Sequence, residues 1–215
     1  MPNSGPRANT VLSAVLKELL ERAKRAQVCL STRFNETESY INEKVNNILN
    51  EFNLTEKESI YLLKFKKTFV HLLNEAHAQA RLRLSKLIDA LEKGDENALI
   101  IEQRSARTLH VRPRGAAWFA IVTARGSMRL PIHGVNSSTV FPQILKDAKA
   151  IAEAQAGWAA SDEGINGGGG THPLMDTTQE WQLLAWAAVR YGTIDVKISG
   201  LFLRKKKRQA SCRGL

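Results

Sequence analysis

Nine apolar positions limit what this chain can fold into more than any other feature: Leu62, Phe65, Phe69, Leu73, Ala76, Ala80, Leu84, Leu87 and Leu91, mostly three or four residues apart. That spacing puts them on one side of a helix. Thr55-x-x-Glu58 forms a capping box upstream, and Gly94 is a natural stop downstream. The helix so bounded is predicted to run about 39 residues, on the order of 58 Å at ~1.5 Å per residue. Its length suits a bundle spine, a coiled-coil partner or a rod linking parts of an assembly.

Two shorter helices are predicted before it. Leu12, Val15, Leu16, Leu19, Leu20 and Ala23 recur at helical spacing, a break falls at STRFNETES, and Ile41, Val45, Ile48 and Phe52 mark the second helix. After Asn97 the texture changes. TLHV (108–111) and AWFAIVTA (117–124) read as strands, Arg125-Gly126 as a turn, and MRLPI (128–132) as the returning strand. Pro131 argues that this last strand lies at an edge or ends there. A helix from Pro142 to Gly157, a glycine-rich loop at SDEGINGGGGTHP, a helix from a second capping box (Thr177, Glu180) to Gly192, and a strand IDVKISGLFL complete the pattern.

The predicted fold class is therefore α+β: a helical N-terminal region with one very long helix, then a small antiparallel sheet packed with two helices. The expected division is a helical region over 1–95, an α+β domain over 96–203 and a basic disordered tail over 204–215.

Charge narrows the choice of partner. The net charge is +10 and the pI about 9.8, within an otherwise ordinary 43% apolar, 24% charged composition. The excess sits in two places. Residues 98–141 carry six arginines against one acid, and the last twelve residues carry six basic groups and no acid, whereas 142–203 is net negative. An anionic partner follows, with nucleic acid first among the candidates.

The stretch RSARTLHVRPRGAAWFAIVTARGSMRLPIHG holds Arg104, Arg107, Arg112, Arg114, Arg125 and Arg129 with no lysine and no acid. Guanidinium groups donate paired hydrogen bonds to phosphate and stay charged, and Trp118 and Phe119 offer rings for stacking. Strand alternation is expected to distribute these arginines over both faces of the hairpin. The tail adds Arg204, Lys205, Lys206, Lys207 and Arg208, a basic run typical of nucleic-acid arms and nuclear localisation signals. These eleven residues are the candidate nucleic-acid contacts. DNA and RNA are not distinguished, since neither a recognition helix nor an RNP motif stands out.

Other chemistries find little support. GINGGGGTHP lacks the Gly-Lys-Ser/Thr ending and the preceding apolar strand of a phosphate loop. His71 and His77 are six apart rather than four, His110, His133 and His172 are scattered, and Asp162, Glu163 and Asp176 are the only carboxylates grouped near a loop. No catalytic residue, cofactor or metal is expected. Trp158, Trp181 and Trp186 divide between core and protein contact. Two cysteines, Cys29 and Cys212, argue against a disulfide framework, and the polar N-terminus against a secretory signal. With no run near ~18 apolar residues, no membrane partner is expected. The expected location is cytoplasmic, or virion or nucleus under the assembly or targeting readings, and the sequons at Asn35, Asn53 and Asn136 carry no weight there.

The leading expectation is a non-catalytic nucleic-acid-binding protein using the arginine hairpin and the tail. The alternative is a structural subunit of a larger assembly (a viral particle, a head-tail connector or a ribonucleoprotein) whose long helix and glycine loop make protein contacts. A homo-oligomer or larger assembly is expected in either case.

Overall fold

A computed structural model describes residues 6–93, 98–123, 127–161, 163–165, 173–204 and 211–212, with backbone alone at 6–13, 165, 203–204 and 211–212. In chain order the elements are α1 (Pro6–Glu51), α2 (Glu56–Glu92), β1 (Leu99–Ser105), β2 (Thr108–Pro113), β3 (Ala120–Thr123), β4 (Met128–Pro131) and β5 (Asn136–Phe141). They continue with α3 (Ala148–Ala160), β6 (Glu163–Ile165), β7 (Pro173–Met175), α4 (Glu180–Arg190), β8 (Gly192–Lys197), β9 (Gly200–Arg204) and β10 (Ser211–Cys212). The chain is α+β, and its sheets are antiparallel.

The long helix forms as expected, over 37 residues, and its capping box is made in full. Thr55 N–H donates to Glu58 Oε2 at 2.8 Å, and Glu58 N–H to Thr55 Oγ1 at 3.3 Å. The expected break at STRFNETES does not occur. Instead α1 runs 46 residues without interruption. Phe34 and Thr37 explain why, because with Leu30, Ile41 and Val45 they continue one buried stripe through the polar letters. Burying the Thr37 hydroxyl is tolerated since it donates to Glu180 Oε1 at 3.0 Å.

Two compact units emerge, and each takes a stretch of both long helices. The switch from helix to strand near residue 95 marks a change of secondary structure inside the first unit. Unit 1 comprises Met1–Arg33, Ala76–His133 and Ser199–Arg213; unit 2 comprises Phe34–Glu75, Gly134–Ile198 and Gly214–Leu215.

In unit 1 the helices run antiparallel, with Lys24 paired to Glu92 and Ser31 Oγ 3.2 Å from His77 Nε2. Beside them lies a six-stranded sheet of order β1-β2-β3-β4-β9-β10. Val111, Ala120, Val122, Met128, Leu130 and Leu201 supply its buried face. Arg83 of α2 ties helix to sheet, donating to the Pro131 carbonyl oxygen while its guanidinium lies 5.5 Å from the Trp118 ring centroid.

Several strand expectations need correction. β1 was not foreseen, yet it pairs along β2 from Leu99↔Pro113 to Ser105↔Thr108. Of the two alternatives raised by Pro131, the strand's ending there is the one that holds: β4 stops at Pro131, while β9 pairs on its other side. The single strand IDVKISGLFL divides into β8 and β9 in different sheets. The division falls where Ile198 N–H donates to Val135 O and Ile132 N–H to Ser199 O. Ser211–Cys212 pairs with β9, so part of the expected disordered tail is strand.

Unit 2 packs α3, α4 and the β5–β8 pair with its stretches of α1 and α2. Phe65 meets Phe141 edge-on with centroids 4.9 Å apart. α3 starts at Ala148, later than Pro142, because Asp147 caps it by accepting from Lys149 N–H and Ala150 N–H. The second capping box is not made: Gln179 occupies the cap position without a side-chain bond, and Thr177 Oγ1 accepts from Gln179 N–H instead. β6 and β7 pair at the two ends of the glycine-rich segment.

Candidate nucleic-acid interface

The sheet of unit 1 has a second face, and cross-strand register fixes what stands on it. Reading the paired residues across β1, β2, β3, β4 and β9 gives Glu102, His110, Ile121, Arg129 and Phe202 in one line. Alternation sets all five opposite the buried Val111, Val122, Leu130 and Leu201. Each is only partly covered. Arg112 lies on the same face, paired with Ile100, and Arg104, at the register irregularity between Gln103 and Ser105, reaches it through its contacts with Glu102 and His110. Of the six arginines of this stretch, Arg104, Arg112 and Arg129 share one face.

Two ring-centred clusters hold Arg104 and Arg129. On β2 the His110 ring stacks on Phe119, centroids 4.1 Å apart and planes 13° from parallel. Arg104 closes this cluster, donating from Nε to His110 Nδ1 at 3.4 Å and pairing with Glu102 at 2.7 Å. Across the sheet, the Arg129 guanidinium lies 4.9 Å from the Phe202 ring centroid. Gly200 makes that posture possible, because a Cβ there would stand 3.2 Å from Arg129 Nε and 3.1 Å from the Leu130 carbonyl oxygen. Arg112 donates from Nη1 to the Ala116 carbonyl at 3.3 Å. One carboxylate against three guanidinium groups leaves the face positive.

The remaining candidates lie elsewhere. Arg107 sits in the β1–β2 turn, at an open cleft of about 240 Å³ shared with Glu18 and Arg22 of α1. Arg114 follows β2 and lines a cleft of about 570 Å³ with Lys86, Asp89 and Lys93. Arg204 is the last residue of β9. Arg125, Lys205, Lys206, Lys207 and Arg208 fall outside the described residues.

The two rings singled out with the arginines part company. Trp118 is buried under Arg83 and belongs to the core, whereas Phe119 is exposed. His110 and Phe202 were missed. Period-2 alternation from Arg112 back to His110 carried the signal for the first. The second became visible only once β9 was known to pair with β4.

Glu163, one of the three carboxylates near the glycine loop, has a buried side chain. It accepts from Trp186 Nε1 at 3.0 Å and Arg190 Nε at 2.8 Å, and pairs with Arg190 Nη2. Its oxygens are engaged in packing, while Asp176 is exposed and Asp162 and His172 fall outside the described residues. Among the described residues no group of three or more His, Cys, Asp or Glu is placed to hold a metal ion. Among them, too, no helix is long and apolar enough to cross a membrane. Compared with known families, curated proteins and solved structures, the chain matches none.

Proposed function

We propose that this protein binds nucleic acid without catalysis, using the outward face of the unit 1 sheet, with the basic segment after β9 adding phosphate contacts. One observation carries the reading: Arg104, Arg112 and Arg129 stand on one face together with Phe119, His110 and Phe202. Guanidinium groups neutralise phosphates, and rings beside them supply contact that a merely solvated charged surface would lack. The net charge of +10 adds long-range attraction to a polyanion.

The test is binding of a labelled oligonucleotide across a salt series. Affinity should fall steeply with salt, each phosphate contact contributing about −0.7 to −0.9 to the slope of log K against log salt. Arg112→Ala and Arg129→Ala should each flatten that slope by about one contact. Undetectable binding at low salt would sink the reading.

A second reading, subunit of a larger assembly, has its own support. Val28 of α1 is 80% exposed and Leu82 of α2 is 55% exposed, both within unit 1. Large apolar side chains this open are candidates for burial against another protein. Light scattering that returns the mass of a large ring or filament, with no affinity for nucleic acid, would favour it.

A further inference from the structure

We infer that the ligand of the sheet face is a single-stranded nucleic acid, held by stacking of its bases on Phe119 and on the Arg129–Phe202 pair. The inference rests on the nucleic-acid reading above and adds what class of strand the face accepts.

The argument starts from what each cluster presents. Phe119 keeps 38% of its surface in solvent while His110 backs its ring. A supported ring with an open side is a stacking platform that needs little ordering before use. At the other cluster the order is reversed. Phe202 lies beneath, and the planar Arg129 guanidinium lies over it. A guanidinium plane stacks on a base as well as an aromatic does, and brings the charge for the adjoining phosphate.

The spacing suits one strand laid across the sheet. His110 stands on β2 and Phe202 on β9, with β3 and β4 between them. Three interstrand steps separate the clusters by ~14 Å. Ile121 lies between them in the same line, and Arg112 stands one alternation along β2 from His110.

Duplex nucleic acid fits this face poorly. Inside a duplex both π faces of a base are covered by its neighbours, so Phe119 and Arg129 reach only unstacked bases. Duplex grooves admit a helix or a protruding ribbon, whereas Arg129 projects from β4, a strand paired on both sides, and Phe119 stands just before β3, which is paired likewise. The β-sheet also engages the backbone amides of β2, β3 and β4 in its own ladder. That leaves side-chain rings and charges as the contact groups, and stacking tolerates every base.

Fluorescence anisotropy with labelled oligo-dT, oligo-U and a mixed-sequence duplex of equal length, at matched salt, tests the inference. Either single strand should bind roughly tenfold or more tightly than the duplex, and the tighter of the two identifies DNA or RNA as the preferred source. Phe119→Ala should lower single-strand affinity by roughly fivefold to a hundredfold while leaving the salt slope unchanged, since stacking carries no counterion release. Phe202→Leu, which keeps the apolar volume and so the fold, should do the same by removing the plane beneath Arg129. Duplex affinity equal to that of the single strands, or ring variants that bind like the parent, would overturn single-strand stacking while leaving the broader reading standing. Failure to bind any of the three probes at low salt would overturn both.

Discussion

The side chain of Gln79 pairs with the backbone of His133 as a neighbouring strand would. Its Nε2 donates to the His133 carbonyl at 2.9 Å, and its Oε1 accepts from the His133 N–H at 2.7 Å. One amide thereby satisfies both polar groups of a residue beyond the end of β4, from a helix 54 positions earlier. Gln79→Ala should lower unfolding free energy by roughly 1–2 kcal/mol, about one net hydrogen bond or slightly more. Gln79→Glu keeps the acceptor but sets a carboxylate oxygen against the His133 carbonyl oxygen, so it should cost more. Urea unfolding of the two variants checks the order, and equal losses would show that the pairing is not the cause.

Gly200→Ala separates geometry from charge. The added methyl meets the Leu130 carbonyl and Arg129 Nε at the distances given above, so the Arg129 side chain must shift by a few tenths of an ångström from its position over Phe202. Every cation remains. Nucleic-acid affinity should fall nonetheless, with stability reduced by roughly 1 kcal/mol from overpacking. Parallel melting and binding curves decide it; unchanged affinity would show that the posture of Arg129 is unimportant.

Glu163 is 4% exposed at its side chain, and its partners are Arg190 and Trp186. Breaking a buried pair leaves its other charge uncompensated. Glu163→Ala should cost about 3 kcal/mol, measurable by calorimetry. Simultaneous Arg190→Leu should recover part of that loss. A double variant no better than the single one would show that the cost arises from the lost Trp186 contact or from cavity formation.

His77 gives unit 1 a pH dependence of known sign. Burial, helped by the charge of Arg81, holds its imidazole below the ordinary value of 6.5. The fold therefore favours the neutral ring. The stability this adds is complete above pH 6.5 and is lost as pH falls through the lower folded value. The difference in denaturant midpoint between the parent and His77→Gln should accordingly shrink between roughly pH 8 and pH 5. A difference independent of pH would rule out that titration.

Local rules were legible wherever one element decided the outcome. The Thr55–Glu58 box and the stripe from Leu62 to Leu91 fixed α2 from letters alone. The polar run around Phe34 misled because a single buried hydroxyl, Thr37, was rescued by Glu180, 143 positions away. No window of local sequence contains that partner. The candidate interface failed in a similar way. Six arginines were visible as a group, yet the face that holds three of them is completed by Phe202 from β9. Its neighbour in the sheet is β4, reached through the whole of β5 to β8. Trp118 was misjudged because composition cannot tell a ring under Arg83 from a ring in solvent.

The division into units has a consequence during synthesis. Among the described residues the chain passes from one unit to the other after Arg33, Glu75, His133 and Ile198. Any C-terminal truncation before Ile198, and any N-terminal one past Arg33, removes part of both. On a ribosome, Phe34, Ile41 and Val45 of α1 emerge long before Ile194 and Val196 complete the same unit, an interval on the order of ten seconds or more at typical elongation rates. Until β1 to β5 emerge, the apolar stripes of the two long helices have only each other for cover, and unit 2 lacks β8 for the whole interval. The nascent protein is therefore a helical hairpin awaiting its sheets, and its need for a chaperone should be greatest before β8 and β9 appear.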